Sequence, residues 1–219
     1  MSGAIDLSRL HFPVTTLGPG RRIGIWFQGC TIRCPGCISL DTWAKGRGTT
    51  TVGRVMDAVA PWIASADGIT VSGGEPWDQR DALFELLGAI RGRTDADILV
   101  YTGYRWADIS ETSALLPSLM DAVVTGPFEI ETRQSLALRG SDNQELRMLT
   151  PLGRSRFESF ERSANRTDRS FDIMFDAGGD VWLAGIPGRG DFRRLRDILE
   201  KAGTTLGISE DTRFPINPI

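Results

Sequence analysis

All three cysteines of this 219-residue chain, Cys30, Cys34 and Cys37, fall within one short stretch in the pattern C-x-x-x-C-x-x-C. An odd count at so tight a spacing cannot build a disulfide framework. Thiolates this close look like ligands converging on one inorganic centre. A structural zinc site takes four protein ligands, and the sole histidine, His11, is the one residue that could add a fourth from upstream. A cubane [4Fe–4S] cluster is normally held by four thiolates. With three, one iron keeps an open position where a substrate or cofactor can chelate. Spacing alone leaves zinc and cluster both open.

Composition narrows the setting. Apolar residues make up 41% and charged residues 24%, the balance of a globular chain with a buried core. The net charge of -3 gives no electrostatic case for nucleic acid or an anionic membrane. No run reaches the length of a membrane span. Met1 to Asp6 has neither a basic start nor an apolar core, which predicts no export signal. A reduced, cytoplasmic setting is expected, and it suits thiolate ligands.

Residues 1–17 read as a lead-in. Arg21 to Gln28 is apolar and β-prone and delivers the chain into the cysteine loop. Thr51 to about Ile63 carries Val52, Val55, Met56, Val59 and Ile63 at helical spacing. Gly68 to Ser72 predicts a strand running into Gly73-Gly74-Glu75-Pro76. Asp78 is placed to cap a helix whose stripe is Leu83, Leu86, Leu87 and Ile90. Asp97 to Tyr101 predicts a strand before Thr102-Gly103-Tyr104. A looser helical segment runs from Trp106 to Leu119, and a strand from Ala122 to Thr125 ends in Gly126-Pro127-Phe128.

This alternation argues for an α/β fold with a parallel sheet, open or curled into a partial barrel. Ligands gather at the C-terminal ends of such strands. Four unusual loops, at Cys30, Gly73, Thr102 and Gly126, follow strands and so fall on one rim. Beyond residue 135 the pattern changes. Leu138 to Glu145 is polar and turn-rich, and Arg154 to Ser170 is expected to be irregular or mobile. Phe171 to Phe175 and Val181 to Ala184 flank Asp176 to Asp180 as a hairpin. Asp191 caps a last helix with Phe192, Leu195, Ile198 and Leu199 inward, and Gly203 stops it. The division expected is a core domain over 1–150 and a strand–strand–helix extension over 151–219.

The cysteine pattern resembles the signature of the radical S-adenosylmethionine (radical SAM) enzymes. Gly18-Pro19-Gly20, Phe27-Gln28-Gly29-Cys30, Cys34-Pro35-Gly36-Cys37, Thr102-Gly103-Tyr104, Gly126-Pro127-Phe128 and Gly140-Ser141-Asp142-Asn143-Gln144 resemble the branch that activates anaerobic (class III) ribonucleotide reductase. The likeness spans about residues 12–146. After Cys37 that branch carries His-Asn-Pro, where this chain has Ile38-Ser39-Leu40.

The resemblance implies a partial (β/α) barrel of the radical SAM type. It implies that Cys30, Cys34 and Cys37 hold a [4Fe–4S] cluster whose fourth iron is chelated by SAM. Gly73 and Gly74 would let the backbone approach the SAM amino group, Glu75 would anchor that loop or accept a hydrogen bond from the ammonium, and Thr102 and Gly103 would reach the ribose or adenine. One electron from flavodoxin or ferredoxin would drive cleavage to methionine and a 5′-deoxyadenosyl radical, which takes a hydrogen atom from a glycine of a large partner enzyme. Two other readings stand beside it. One is hydrogen abstraction from a small metabolite or peptide. The other is a non-catalytic protein stabilised by zinc or a cluster. Within this sequence no cysteine lies outside the triplet, so auxiliary clusters and a catalytic thiol are excluded.

Overall fold

The computed structural model describes residues 3–175 and 181–203. Its centre is a seven-stranded sheet. The strands are β1 (Ala4–Val14), β2 (Arg22–Phe27), β3 (Thr49–Thr51), β4 (Gly68–Gly73), β5 (Asp97–Tyr101), β6 (Ala122–Thr125) and β7 (Glu145–Met148). They lie in the order β3-β1-β2-β4-β5-β6-β7. The inner four, β2, β4, β5 and β6, run parallel. The other pairings, β1 with β2 and β3 and β6 with β7, are antiparallel. The edge strands β3 and β7 do not pair with each other.

Alternation along the strands separates the two faces of the sheet. Ile23, Ile25 and Phe27 of β2, with Ile98 and Val100 of β5, join the cluster formed by helices α1 (Val52–Ile63) and α2 (Arg80–Arg91). Trp26 of β2 and Leu99 of β5 belong to two separate clusters. One is covered by α5 (Pro151–Phe157) through Phe157, the other by the hairpin β8 (Phe171–Phe175) and β9 (Val181–Gly185) through Met174 and Ala184. A buried ion network pins α5 to the sheet. Arg22 meets Asp97 at 2.6 Å with both side chains fully buried, and Arg156 of α5 meets the other oxygen of Asp97 at 2.8 Å.

Several expectations need correction. The lead-in contains an 11-residue strand, β1, in which Ile5 and Leu7 alternate with Asp6 and Ser8 until the consecutive polar pair Ser8-Arg9 and the register shifts against β2 break the pattern. The segment 106–119 is broken into α3 (Trp106–Ile109), a short 3-10 turn and α4 (Leu116–Leu119). The segment from 154 is not irregular at its start. Thr150 accepts a hydrogen bond from the Gly153 N–H, Pro151 occupies the first turn, and Phe157 is fully buried. Asp78 does not cap α2, whose N-cap is Gln79 without a side-chain bond. The last helix, α6 (Asp191–Lys201), starts from Gly190 rather than Asp191, and Ile198 is 63% exposed instead of inward. The expected turn at Asp176–Asp180 lies outside the described residues, although the strands flanking it pair antiparallel as the hairpin signal requires.

Candidate metal centre

The cysteine loop begins where β2 ends, and backbone bonds fasten it to its neighbours. Gly29 N–H donates to the Thr42 carbonyl at 2.7 Å, and Cys30 N–H to that of Trp43 at 3.2 Å. From the other side, Gly74 N–H donates to Phe27 and Glu75 N–H to Gly29, each at 2.8 Å. The glycine pair is required by this approach. Gly73 has φ +105°, and a Cβ there would meet the backbone nitrogen of Phe27 at 2.4 Å. A Cβ on Gly74 would stand 2.2 Å from the Gly29 carbonyl oxygen. The G-G-E loop is thus packed directly on the chain that carries Cys30.

Cys30, Cys34 and Cys37 line one cavity of about 480 Å³. Gly73, Gly74 and Glu75 after β4, Thr102 and Gly103 after β5, and Gly126 and Phe128 after β6 line the same cavity. The four loops therefore meet on one rim, as their position after parallel strands requires. Gly140, Gln144 and Trp43 also line it, whereas Tyr104, Asn143 and His11 do not. Among the described residues, no group of three His, Cys, Asp or Glu could hold a metal ion. Three thiolates leave a four-ligand structural zinc site incomplete, whereas a [4Fe–4S] cluster can take its remaining ligand from a bound cofactor.

Burial and local hydrogen-bond donors act in opposite directions on the three thiols. Burial pushes Cys30 and Cys34 up and Cys37 up to about 11. Backbone N–H groups of Ile32 and Arg33 face Cys30 and that of Phe128 faces Cys34, while Ser39 N–H donates to Cys37 Sγ at 3.4 Å. Such donors stabilise thiolate and tune a cluster. Iron binding would draw the protons off, since a metal-bound thiol is deprotonated. Arg33, between the first two cysteines, holds φ 52°, a left-handed conformation unusual for a side-chain-bearing residue.

Glu75 is an anchor. It is 1% exposed, and its carboxylate accepts from Trp77 N–H at 3.0 Å, Thr102 Oγ1 at 2.7 Å and Gly103 N–H at 2.7 Å. One carboxylate thereby joins the loops after β4 and β5. Burial raises its pKa from 4.5 to about 7 against the pull of these three donors.

The sequence did not point to the opposite wall. Leu183 to Gly188, with Arg189 and Arg193, line the same cavity from the hairpin and α6 side. This wall is tied down by Asp172, which accepts from Thr15 N–H and Thr15 Oγ1 at 2.7 Å and from Thr16 Oγ1 at 3.0 Å. Gln134 donates to the Pro187 carbonyl at 2.9 Å, and Arg189 donates to the carbonyls of Ile130 and Thr132. The only local signal was the turn composition Gly185-Ile186-Pro187-Gly188, which says nothing of where the turn docks.

Comparison with known proteins agrees with this geometry. The family described as a 4Fe-4S single cluster domain matches residues 16–147, and the chain belongs to that family. The chain is 29% identical over 134 residues to the anaerobic ribonucleoside-triphosphate reductase-activating protein of Enterobacteria phage T4, covering 59% of this chain and 85% of that protein. It is 29% identical over 143 residues to the protein of the same name from Escherichia coli K12, covering 61% and 93%. It is also 45% identical over 88 residues to the pyruvate formate-lyase-activating enzyme of Listeria monocytogenes, covering 36% and 35%. The class is that of the radical SAM activating enzymes, with a [4Fe–4S] cluster and SAM as cofactors. No helix among the described residues is long and apolar enough to cross a membrane.

Proposed function

We propose that this chain reductively cleaves SAM to generate a glycyl radical on a partner enzyme, with anaerobic ribonucleotide reductase the foremost candidate. The observation that carries this is the convergence of three thiols and four strand-end loops on one cavity. In this reading Cys30, Cys34 and Cys37 hold the cluster, and the iron they leave open takes the SAM amino and carboxylate groups. The bound pair would supply methionine and a 5′-deoxyadenosyl radical once an electron arrives from flavodoxin or ferredoxin.

The chain's own task is positioning. Gly73 and Gly74 present backbone without side chains beside the cysteine loop, where the SAM ammonium would sit. Glu75 holds the Thr102–Gly103 loop toward the ribose and adenine rather than meeting the ammonium itself, because its oxygens already serve three donors. Trp43, Phe128 and the hairpin wall keep water out. In this reading residues 1–150 are the radical SAM core, a partial (β/α) barrel, and 151–219 the extension. A reduced cytoplasm would keep the thiols available.

The hairpin wall favours one further reading. It lies beyond the matched residues 16–147 yet lines the cavity. A target other than a reductase, such as a small metabolite or peptide, would meet that wall first. The test is anaerobic incubation of reconstituted protein with SAM, a reductant and a co-encoded glycyl radical enzyme. A glycyl doublet in the spin resonance spectrum is the result expected. SAM cleavage with no radical on any such partner would move the reading to a small substrate.

A further inference from the structure

Freed from capping α2, the Asp78 carboxylate points toward the cysteine loop. Its Oδ2 accepts from Thr31 N–H at 2.7 Å, and its Oδ1 accepts from Thr31 Oγ1 at 2.8 Å and from the Tyr104 hydroxyl at 3.0 Å. Three segments end on this one side chain: the turn after Cys30, the 3-10 turn Pro76–Gln79, and the loop after β5.

Thr31 follows Cys30 directly, and the next two amides, of Ile32 and Arg33, are the ones that face the Cys30 sulfur. The turn then passes through the left-handed conformation at Arg33. Thr31 itself is exposed, and both its backbone N–H and its hydroxyl end on Asp78. The paired bond to Asp78 therefore fixes the direction of the turn.

We propose that Asp78 is a positioning residue for the iron centre: by gripping both donors of Thr31 it aims the Ile32 and Arg33 amides at Cys30 and sets how firmly the cluster is retained. This rests on Cys30 being a cluster ligand. Partners of metal ligands commonly change affinity by ten- to a hundredfold when removed.

The test uses the full chain, reconstituted without oxygen with ferrous iron and sulfide, as wild type, Asp78→Ala, Asp78→Asn and Thr31→Val. Iron release to a chelator is timed, and the reduced cluster's spin resonance spectrum and the thermal midpoint are recorded. Asp78→Ala is expected to release iron roughly tenfold faster with a shifted spectrum, while Asp78→Asn, which keeps an acceptor for Thr31 N–H, stays within about threefold of wild type. Thr31→Val loses one of the two arms and is expected to fall between them. It also decides the matter should Asp78→Ala fail to fold. Release unchanged in Thr31→Val and Asp78→Ala overturns the proposal. Equal effects of the Ala and Asn variants overturn it too, because loss of charge would then suffice. A wild type that takes up no iron overturns the cluster reading itself, and this proposal with it.

Discussion

Glu75 shows how much one side chain can organise. A buried carboxylate with three donors cannot be replaced by an amide without setting N–H against N–H. Glu75→Gln is predicted to cost roughly 1–3 kcal/mol of stability and to weaken SAM binding while iron content stays unchanged. Its titration gives a separate check. The folded carboxyl, raised to about 7 from 4.5, binds its proton more tightly than the unfolded one. Its contribution to stability is therefore complete below 4.5 and lost as pH rises through about 7. Urea midpoints of the cluster-free chain across that window should fall with pH more steeply in wild type than in Glu75→Gln. A second substitution tests the glycine pair. Gly74→Ala places a methyl 2.2 Å from the Gly29 carbonyl, so it should disturb the cysteine loop and lower iron uptake as well as SAM binding. Iron uptake at the wild-type level would contradict the packing account. The cysteines and the glycine pair were legible in the sequence because their chemistry is carried by residue type and spacing. The bonds of Glu75 to Thr102 and Gly103 and of Asp78 to Thr31 and Tyr104 were not, because these partners lie tens of positions away along the chain.

At the scale of elements, periodicity found what was strongly periodic. The strands β2, β4, β5 and β6 and the helices α1 and α2 lie close to where apolar spacing put them. β1 and β7 were missed because a strand at the flank of a sheet need not alternate cleanly: β1 carries irregular register, and β7 is a short, half-buried segment. α5 was missed because its sequence is charged. Its place is set by an ion network invisible to hydropathy. Asp97 stands fully buried between Arg22 and Arg156. Asp97→Ala leaves the Arg22 cation buried without its carboxylate and is predicted to destabilise the fold by roughly 3–5 kcal/mol. Chemical denaturation measures this, and a loss within experimental error would contradict it. The hairpin is held by a lighter tie. Asp172→Ala removes acceptors for Thr15 and Thr16, and amide exchange in β8 and β9 should speed up while the parallel strands keep their protection. Uniform protection across both would mean that the apolar contacts of Met174, Ala184 and Ile186 suffice alone.

For the molecule as a whole, the two faces of the sheet divide the work. Helices α1 and α2 seal one face into the largest core, and α5 and the hairpin cover the other, where the hairpin lines the cavity. The rim was readable because parallel strands oblige their C-terminal loops to gather. The hairpin wall was not, because docking depends on contacts such as Thr16 with Asp172 and Ala184, more than 150 positions apart. The account turns on a cluster iron left for SAM by three thiols. Electron–nuclear double resonance on the reduced protein, with SAM labelled at its amino nitrogen and carboxylate, reads that contact directly. Coupling from both labels, lost when any one of Cys30, Cys34 or Cys37 becomes serine, is the result predicted. A reduced [4Fe–4S] cluster that shows no coupling to either label would contradict it.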